Sequence, residues 1–175
     1  MTMITSKVCI VGDFAVGKTS VVERFVNNQF SEKYLTTIGV KVDTKEIDLP
    51  HSGVQLKLIL WDVAGSDQFG ETEFAYLRGA SGHIFVADGT RPATLGTVQK
   101  LGVRIDERYG RKPSVLLINK HDLSDAWDVT EQIIEELKTD FDALFLTSAK
   151  TGADVENALT RLAELIIDQT LADQQ

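Results

Sequence analysis

Along the chain, short continuous apolar runs alternate with segments whose apolar residues recur at helical spacing. The runs are Val8–Val11, Leu56–Trp61, Ile84–Ala87, Val115–Ile118 and Ala143–Leu146, the pattern of buried strands in a parallel sheet. Val40-Lys41-Val42-Asp43-Thr44 alternates instead, which predicts an edge strand with one wet face. His51-Ser52-Gly53 predicts a hairpin turn joining that strand to Leu56–Trp61. Val21, Val22, Phe25 and Val26 form one helical stripe, and Val155, Ala158, Leu159, Leu162 and Ile166 form another. Helices are expected at roughly 18–28, 70–79, 94–109, 128–138 and 153–170. Strands alternating with helices predict a doubly wound α/β fold. Its sheet should be six-stranded and mostly parallel, with one antiparallel edge strand and helices on both faces. In such a sheet a ligand binds at the carboxyl ends of the strands. With 175 residues and no internal repeat, linker or low-complexity segment, residues 1–175 are expected to form one domain.

Charge changes this picture only after it is divided. The formal net charge of −8 argues against nonspecific nucleic-acid binding, which needs clustered Lys and Arg. Residues 121–175 carry 13 Asp and Glu against 3 Lys and Arg, whereas residues 1–120 carry 13 against 15. The acidic part is thus the last third, expected to be solvated helix faces that attract no anionic lipid. The first two thirds remain near neutral and able to meet an anion.

The single cysteine excludes an intrachain disulfide and a Cys-rich metal site, and it points to a reducing compartment. Cys9 lies inside an apolar run, where a buried thiol is expected rather than a nucleophile. His51, His83 and His121 are scattered singly and predict no metal site. No apolar stretch approaches the ~20 residues of a membrane span. The first five residues lack the apolar core of a signal peptide and are assigned to no element. The C-terminus has no cysteine to prenylate. A soluble, cytoplasmic monomer without a membrane anchor is expected.

Candidate chemistry begins at Gly12-Asp13-Phe14-Ala15-Val16-Gly17-Lys18-Thr19, a complete G-x-x-x-x-G-K-[ST] between a predicted strand and a predicted helix. Its glycines let backbone N–H groups wrap a polyphosphate at a helix N-terminus. Asp13, Phe14, Ala15, Val16, Gly17 and Ser20 are therefore candidate nucleotide contacts. Lys18 is placed for the β- and γ-phosphates, and the Thr19 hydroxyl for Mg2+. Asn119-Lys120-His121-Asp122 follows another strand. A carboxylate there can accept both the N1–H and the exocyclic N2–H of guanine, whereas adenine leaves it unpaired at ~1–3 kcal/mol. Thr147-Ser148-Ala149-Lys150 follows the last strand, and Trp61-Asp62-Val63-Ala64-Gly65 ends a third. Asp62 is placed to hold Mg2+ through water, or else to cap a helix. Gly65 is placed to offer its N–H to a γ-phosphate.

These motifs resemble the Ras superfamily of small GTPases, P-loop nucleotide hydrolases, from Lys7 to about Ile167. Thr37-Ile38-Gly39-Val40, Trp61-Asp62 and Arg78-Gly79-Ala80 are most similar to the Rab branch. The resemblance implies GTP, GDP and Mg2+ as ligands, with Thr37 on the metal and on the γ-phosphate in the triphosphate state only. It implies that Phe30 packs edge-on against guanine, that Ala149 gives its N–H to the guanine O6, and that Lys120 covers the base. Ser148 and Lys150 belong to the same base-binding loop. Loss of the γ-phosphate then releases Thr37 and Gly65, and both switch loops relax. Protein partners (effector, exchange factor, activating protein) are implied through the switches. Trp61 and Tyr76 resemble aromatic effector-contact positions, with Val42 where phenylalanine is usual. Trp127, expected to open the helix at 128, is assigned to helix–core packing.

Two departures from the family pattern fall on catalysis, whose implied residues are Lys18, Thr37, Gly65 and Ser66. Relatives place glutamine where Ser66 stands, and a serine is too short to bridge water and γ-phosphate. Phe14 stands where relatives carry a small residue, so it is expected to crowd the transition state or block an inserted arginine. Binding parts are intact and hydrolytic parts altered, which predicts slow turnover unless Gln68 or Asp67 takes over. The competing expectation is a GTP-binding interaction module with negligible turnover. A P-loop kinase or ATPase fails on the guanine motifs.

Overall fold

The computed structural model describes residues 2–33, 37–65 and 69–175. Six strands form one sheet in the order β2-β3-β1-β4-β5-β6. They are β1 (Thr2–Gly12), β2 (Val40–Leu49), β3 (Val54–Val63), β4 (Gly82–Asp88), β5 (Ser114–Asn119) and β6 (Ala143–Leu146). Only β2 runs antiparallel, paired with β3 from Val40 opposite Val63 to Leu49 opposite Val54. Helices α1 (Lys18–Asn27) and α5 (Val155–Asp173) cover one face, and α2 (Glu71–Tyr76), α3 (Ala93–Tyr109) and α4 (Glu131–Leu137) cover the other. Val21, Val22 and Phe25 of α1 join the α5 stripe Ala158, Leu159, Leu162 and Ile166 in one core layer. Val98, Leu101 and Ile105 of α3 join Phe85 and Leu116 in the other.

Where the architecture departs from the pattern-based expectation, neighbours explain it. The first residues, assigned to no element, lengthen β1: Thr2 to Ser6 pair with Val54 to Leu58. Without them the first half of β3 would present unpaired backbone groups on that side. Ala143–Leu146, read as a buried strand, is instead the far edge of the sheet and only half-buried. The fourth helix begins at Glu131 rather than 128. Asp128 spends its N–H on the Gly89 carbonyl at 2.8 Å, and the Thr130 hydroxyl caps the helix by accepting from Ile133 N at 3.3 Å. Trp127 therefore lies in the preceding loop, half-buried against the core as expected for packing and edge-on to His121 at 4.7 Å. No helix among the described residues is long and apolar enough to cross a membrane.

Two buried titratable groups lie on the central strands β1 and β4. Cys9 is fully buried, and burial pushes its thiol up to about 12 despite nearby Lys7, which leaves it inert as expected. His83 on β4 is 2% exposed, and its Nε2 has no hydrogen-bond partner among the described residues. Burial, helped by the charge of Lys112, holds its pKa down to about 4. The folded chain therefore refuses a proton that the unfolded chain accepts below about pH 6.5. Stability from this group is complete above that pH and is lost as pH falls toward 4. Urea unfolding should show the parent losing about 2 kcal/mol more than His83→Gln between pH 7 and pH 5; parallel pH profiles would refute the assignment.

Candidate nucleotide site

The carboxyl ends of β1, β3, β5 and β6 open onto one cleft of about 360 Å3. Its phosphate-sized end is the loop from Gly12 to Gly17. The loop's carbonyls are tied by four side chains. Lys18 Nζ donates to Gly12 O at 3.3 Å and Asp13 O at 3.0 Å. Arg91 Nη2 holds Phe14 O at 2.6 Å, Lys120 Nζ holds Ala15 O at 3.0 Å, and Asn119 Nδ2 holds Val16 O at 3.1 Å. Since carbonyl and amide point oppositely across a trans peptide, outward carbonyls send N–H groups inward. Ala15 reaches this geometry with φ +59° and Gly17 with φ +100°. A Cβ on Gly17 would meet Asn119 Nδ2 at 2.4 Å, so only glycine fits against that amide.

Asp13 and Val16 contribute differently from the rest of the motif. The Asp13 carboxylate turns back on its own loop, accepting from Phe14 N at 2.7 Å and from Thr97 Oγ1 at 3.1 Å. The Val16 side chain is a fully buried core residue. Phe14, Ala15, Gly17, Lys18, Thr19 and Ser20 line the cleft itself. Burial lowers the Lys18 ammonium to about 8, against the pull of Asp62 and Asp13 and with the push of Arg91. At neutral pH it still carries its charge, ready to meet an anion.

Beside Lys18, three elements bring oxygen atoms together. Thr19 Oγ1 donates to Asp62 Oδ2 at 2.5 Å and lies 2.7 Å from Thr37 Oγ1. Asp62 is fully buried, and its Oδ1 has no partner among the described residues. Burial raises its pKa, opposed by the Thr19 hydrogen bond and Lys18. Two hydroxyls beside a buried carboxylate with an orphaned oxygen are a donor set for a hard, oxygen-seeking dication such as Mg2+. The capping alternative for Asp62 is not what the structure shows, because the residue lies within β3. Gly65 packs onto the same place: a Cβ there would sit 2.5 Å from Lys18 Nζ and 2.7 Å from Asp13 O.

The other end of the cleft is set by Asn119, 2% exposed. Its Oδ1 accepts from Thr147 Oγ1 and Ala149 N, both at 3.2 Å, while its Nδ2 holds the phosphate loop. Ser148 Oγ donates to Asp122 Oδ1 at 2.8 Å, fixing that carboxylate at the cleft wall. Ser148 is itself buried behind the wall. The Ala149 N–H, implied as a donor to guanine O6, already serves Asn119 over a long hydrogen bond. It reaches a base only as a shared donor. Lys120 and Phe30 line the cleft, and Lys150 closes its mouth by pairing with Glu32 at 3.3 Å. Lys120 is pinned by Asp88 Oδ2 at 2.8 Å.

Asp88, Arg91, Arg24 and Thr97 belong to this constellation and carry no motif. Asp88 follows the apolar run Ile84–Ala87 at the end of its strand, a position that could have flagged it. Arg24 reaches from α1 to the carbonyls of Ala149 at 2.8 Å and Lys150 at 2.5 Å, bracing the last loop. Val42 stands opposite Trp61 across β2 and β3, and Tyr76 lies 6.5 Å from the Trp61 ring. The candidate contact patch is therefore contiguous, with Val42 49% exposed and the two rings half-buried. Lys7 Nζ sits 3.7 Å over the Trp61 ring. Ser66, Asp67 and Gln68 lie outside the described residues. No group of three or more His, Cys, Asp or Glu able to hold a metal occurs among the described residues.

A model of the Ras family matches residues 7–168. The Ras-related protein Rab-32A of Dictyostelium discoideum is 36% identical over 178 residues, which cover 97% of this chain and 81% of that protein. Rab-32C of the same organism is 33% identical over 176 residues, covering 98% and 78%. The Ras-related protein Rab-8B of Homo sapiens is 34% identical over 163 residues, covering 92% and 78%.

Asn119→Ala removes three hydrogen bonds from a buried crossing of three loops. Chemical denaturation should show a loss on the order of 3 kcal/mol, at ~1 kcal/mol per bond. A loss below ~1 kcal/mol would mean the loops hold one another by other means.

Proposed function

The chain belongs to the Ras family of GTP-hydrolysing molecular switches, and on that premise we propose a Rab-like switch with slow intrinsic hydrolysis. The observation that carries this proposal is the meeting of Thr19, Thr37 and Asp62 beside Lys18, in a cleft whose far wall holds Asp122. Thr19, Thr37 and Asp62 would hold Mg2+, which when bound neutralises charge on the β- and γ-phosphates. The inward N–H groups of the loop and the Lys18 ammonium bind the phosphates. Asp122, steadied by Ser148, accepts the two guanine N–H donors, and Phe30 and Lys120 flank the base. Thr37 and Gly65 contact the γ-phosphate, so its departure frees both switch loops.

Hydrolysis places a water oxygen on the γ-phosphorus as the bond to the bridging oxygen breaks, giving GDP and phosphate. Lys18 and the loop amides stabilise charge on the leaving side. The step wants a group that orients water, and Ser66 stands where relatives carry glutamine. A loss of ~10²-fold is the scale of one such group. Phe14, 47% exposed at the rim of the cleft, adds bulk where an activating arginine would enter. Residues 1–175 act as one domain in this proposal, monomeric and cytoplasmic, with Val42, Trp61 and Tyr76 offered to partner proteins.

The same Phe14 position supports a second reading, a GTP-binding interaction module with negligible turnover. The nucleotide carried by the freshly purified chain separates the two: GDP is expected of the turning-over switch, and GTP would favour the module. In single-turnover assays, Ser66→Gln should raise the hydrolysis rate by ~10²-fold. An unchanged rate means that Ser66 is not what limits hydrolysis.

A further inference from the structure

We propose that Arg91 is a positioning residue for the bound phosphates, acting through the backbone of the phosphate loop. Arg91 lies in the connection between β4 and α3 and belongs to none of the nucleotide motifs. Its Nε pairs with Asp88 Oδ2 at 3.0 Å, and its Nη2 donates to the Phe14 carbonyl at 2.6 Å. The Asp88 side chain is 1% exposed. Its Oδ1 is held by the N–H and hydroxyl of Thr90 at 2.8 and 2.7 Å, so the anchor is rigid. The same Oδ2 accepts from Lys120 Nζ at 2.8 Å, and Lys120 in turn holds the Ala15 carbonyl at 3.0 Å. One buried carboxylate thus directs two cations onto two successive carbonyls of the loop.

The consequence follows from peptide planarity. A Phe14 carbonyl drawn away from the cleft leaves the Ala15 N–H facing into it. Ala15 has φ +59°, a region an alanine avoids, so this peptide needs an external hold to keep its orientation. A guanidinium supplies it because its planar fork contacts carboxylate and carbonyl at once. Arg91 therefore sets the direction of an amide that meets a phosphate oxygen, without touching the nucleotide.

The inference rests on the guanine-nucleotide binding proposed above, and the test separates the two. The full chain, Arg91→Ala and Arg91→Lys are loaded with GDP, release is timed, and phosphorus NMR of the bound nucleotide is recorded. Arg91→Ala should release GDP roughly tenfold faster, the scale of one charge-assisted hydrogen bond, and should shift the β-phosphorus resonance. Arg91→Lys, an ammonium without the fork, should fall between. Should Arg91→Ala fail to load, Arg91→Lys against the parent carries both readouts. A role confined to bracing the connecting loop would speed release and leave the resonance unmoved, and that outcome overturns the inference, as does unchanged release. A parent chain that takes up no GDP overturns the guanine-nucleotide reading itself.

Discussion

The carboxamide of Asn119 is where the site is held together. It lies at the end of β5, almost wholly buried, and donates to the phosphate loop at Val16 while accepting from Thr147 and Ala149 of the last loop. A buried amide costs free energy unless its donors and acceptors are matched. Here the matching partners come from elements more than a hundred residues apart in one direction and about thirty in the other. The close approach leaves no room for a side chain on Gly17, so the loop's glycine is required by the asparagine as much as by a phosphate. Pocket shape at both ends thus follows from one side chain.

Asp88 is the electrostatic counterpart of that crossing. Burial alone would raise its pKa, but the hydrogen bonds of Lys120, Thr90 and Arg91 outweigh it and hold the carboxyl below the usual range. The net result is a fixed negative charge beneath a loop built to meet phosphate. Its two cations keep that charge from facing the ligand. On the opposite side Asp62 accepts from the Thr19 hydroxyl and feels Lys18, Lys41 and Asp43, and its second oxygen has no partner among the described residues. One buried carboxylate is satisfied within the protein, and the other keeps one oxygen unpartnered among the described residues.

The layer architecture was legible in the hydrophobic pattern because strands buried on both faces must be continuously apolar, as Val115–Ile118 is. The motifs were legible because phosphate binding needs glycine and lysine at fixed spacing. Length and boundaries were less so. Thr2–Ser6 read as polar and unassigned, yet the ladder offered by Val54–Leu58 makes a strand of them. The apolar run Ala143–Leu146 gave no hint that it ends the sheet, since an edge is defined by a missing neighbour and not by composition. The start of α4 moved because a backbone N–H at Asp128 found a distant acceptor.

From the sequence alone came the α/β class, the antiparallel edge strand, the phosphate loop, the guanine motif and the residues Thr19, Asp62 and Asp122, together with family membership. Each of these is written in local spacing, which the chain carries whether folded or not. Only the tertiary structure decided that Arg91 and Lys120 share Asp88, that Arg24 braces the last loop, and that Ala149 spends its N–H on Asn119. It also decided that the oxygens of Thr19, Thr37 and Asp62 meet within hydrogen-bond distance. Those are pairings between residues far apart in the chain, and no periodicity records which carbonyl a distant cation will reach. They arise when the sheet aligns its strand ends and burial favours partners for the polar groups gathered there.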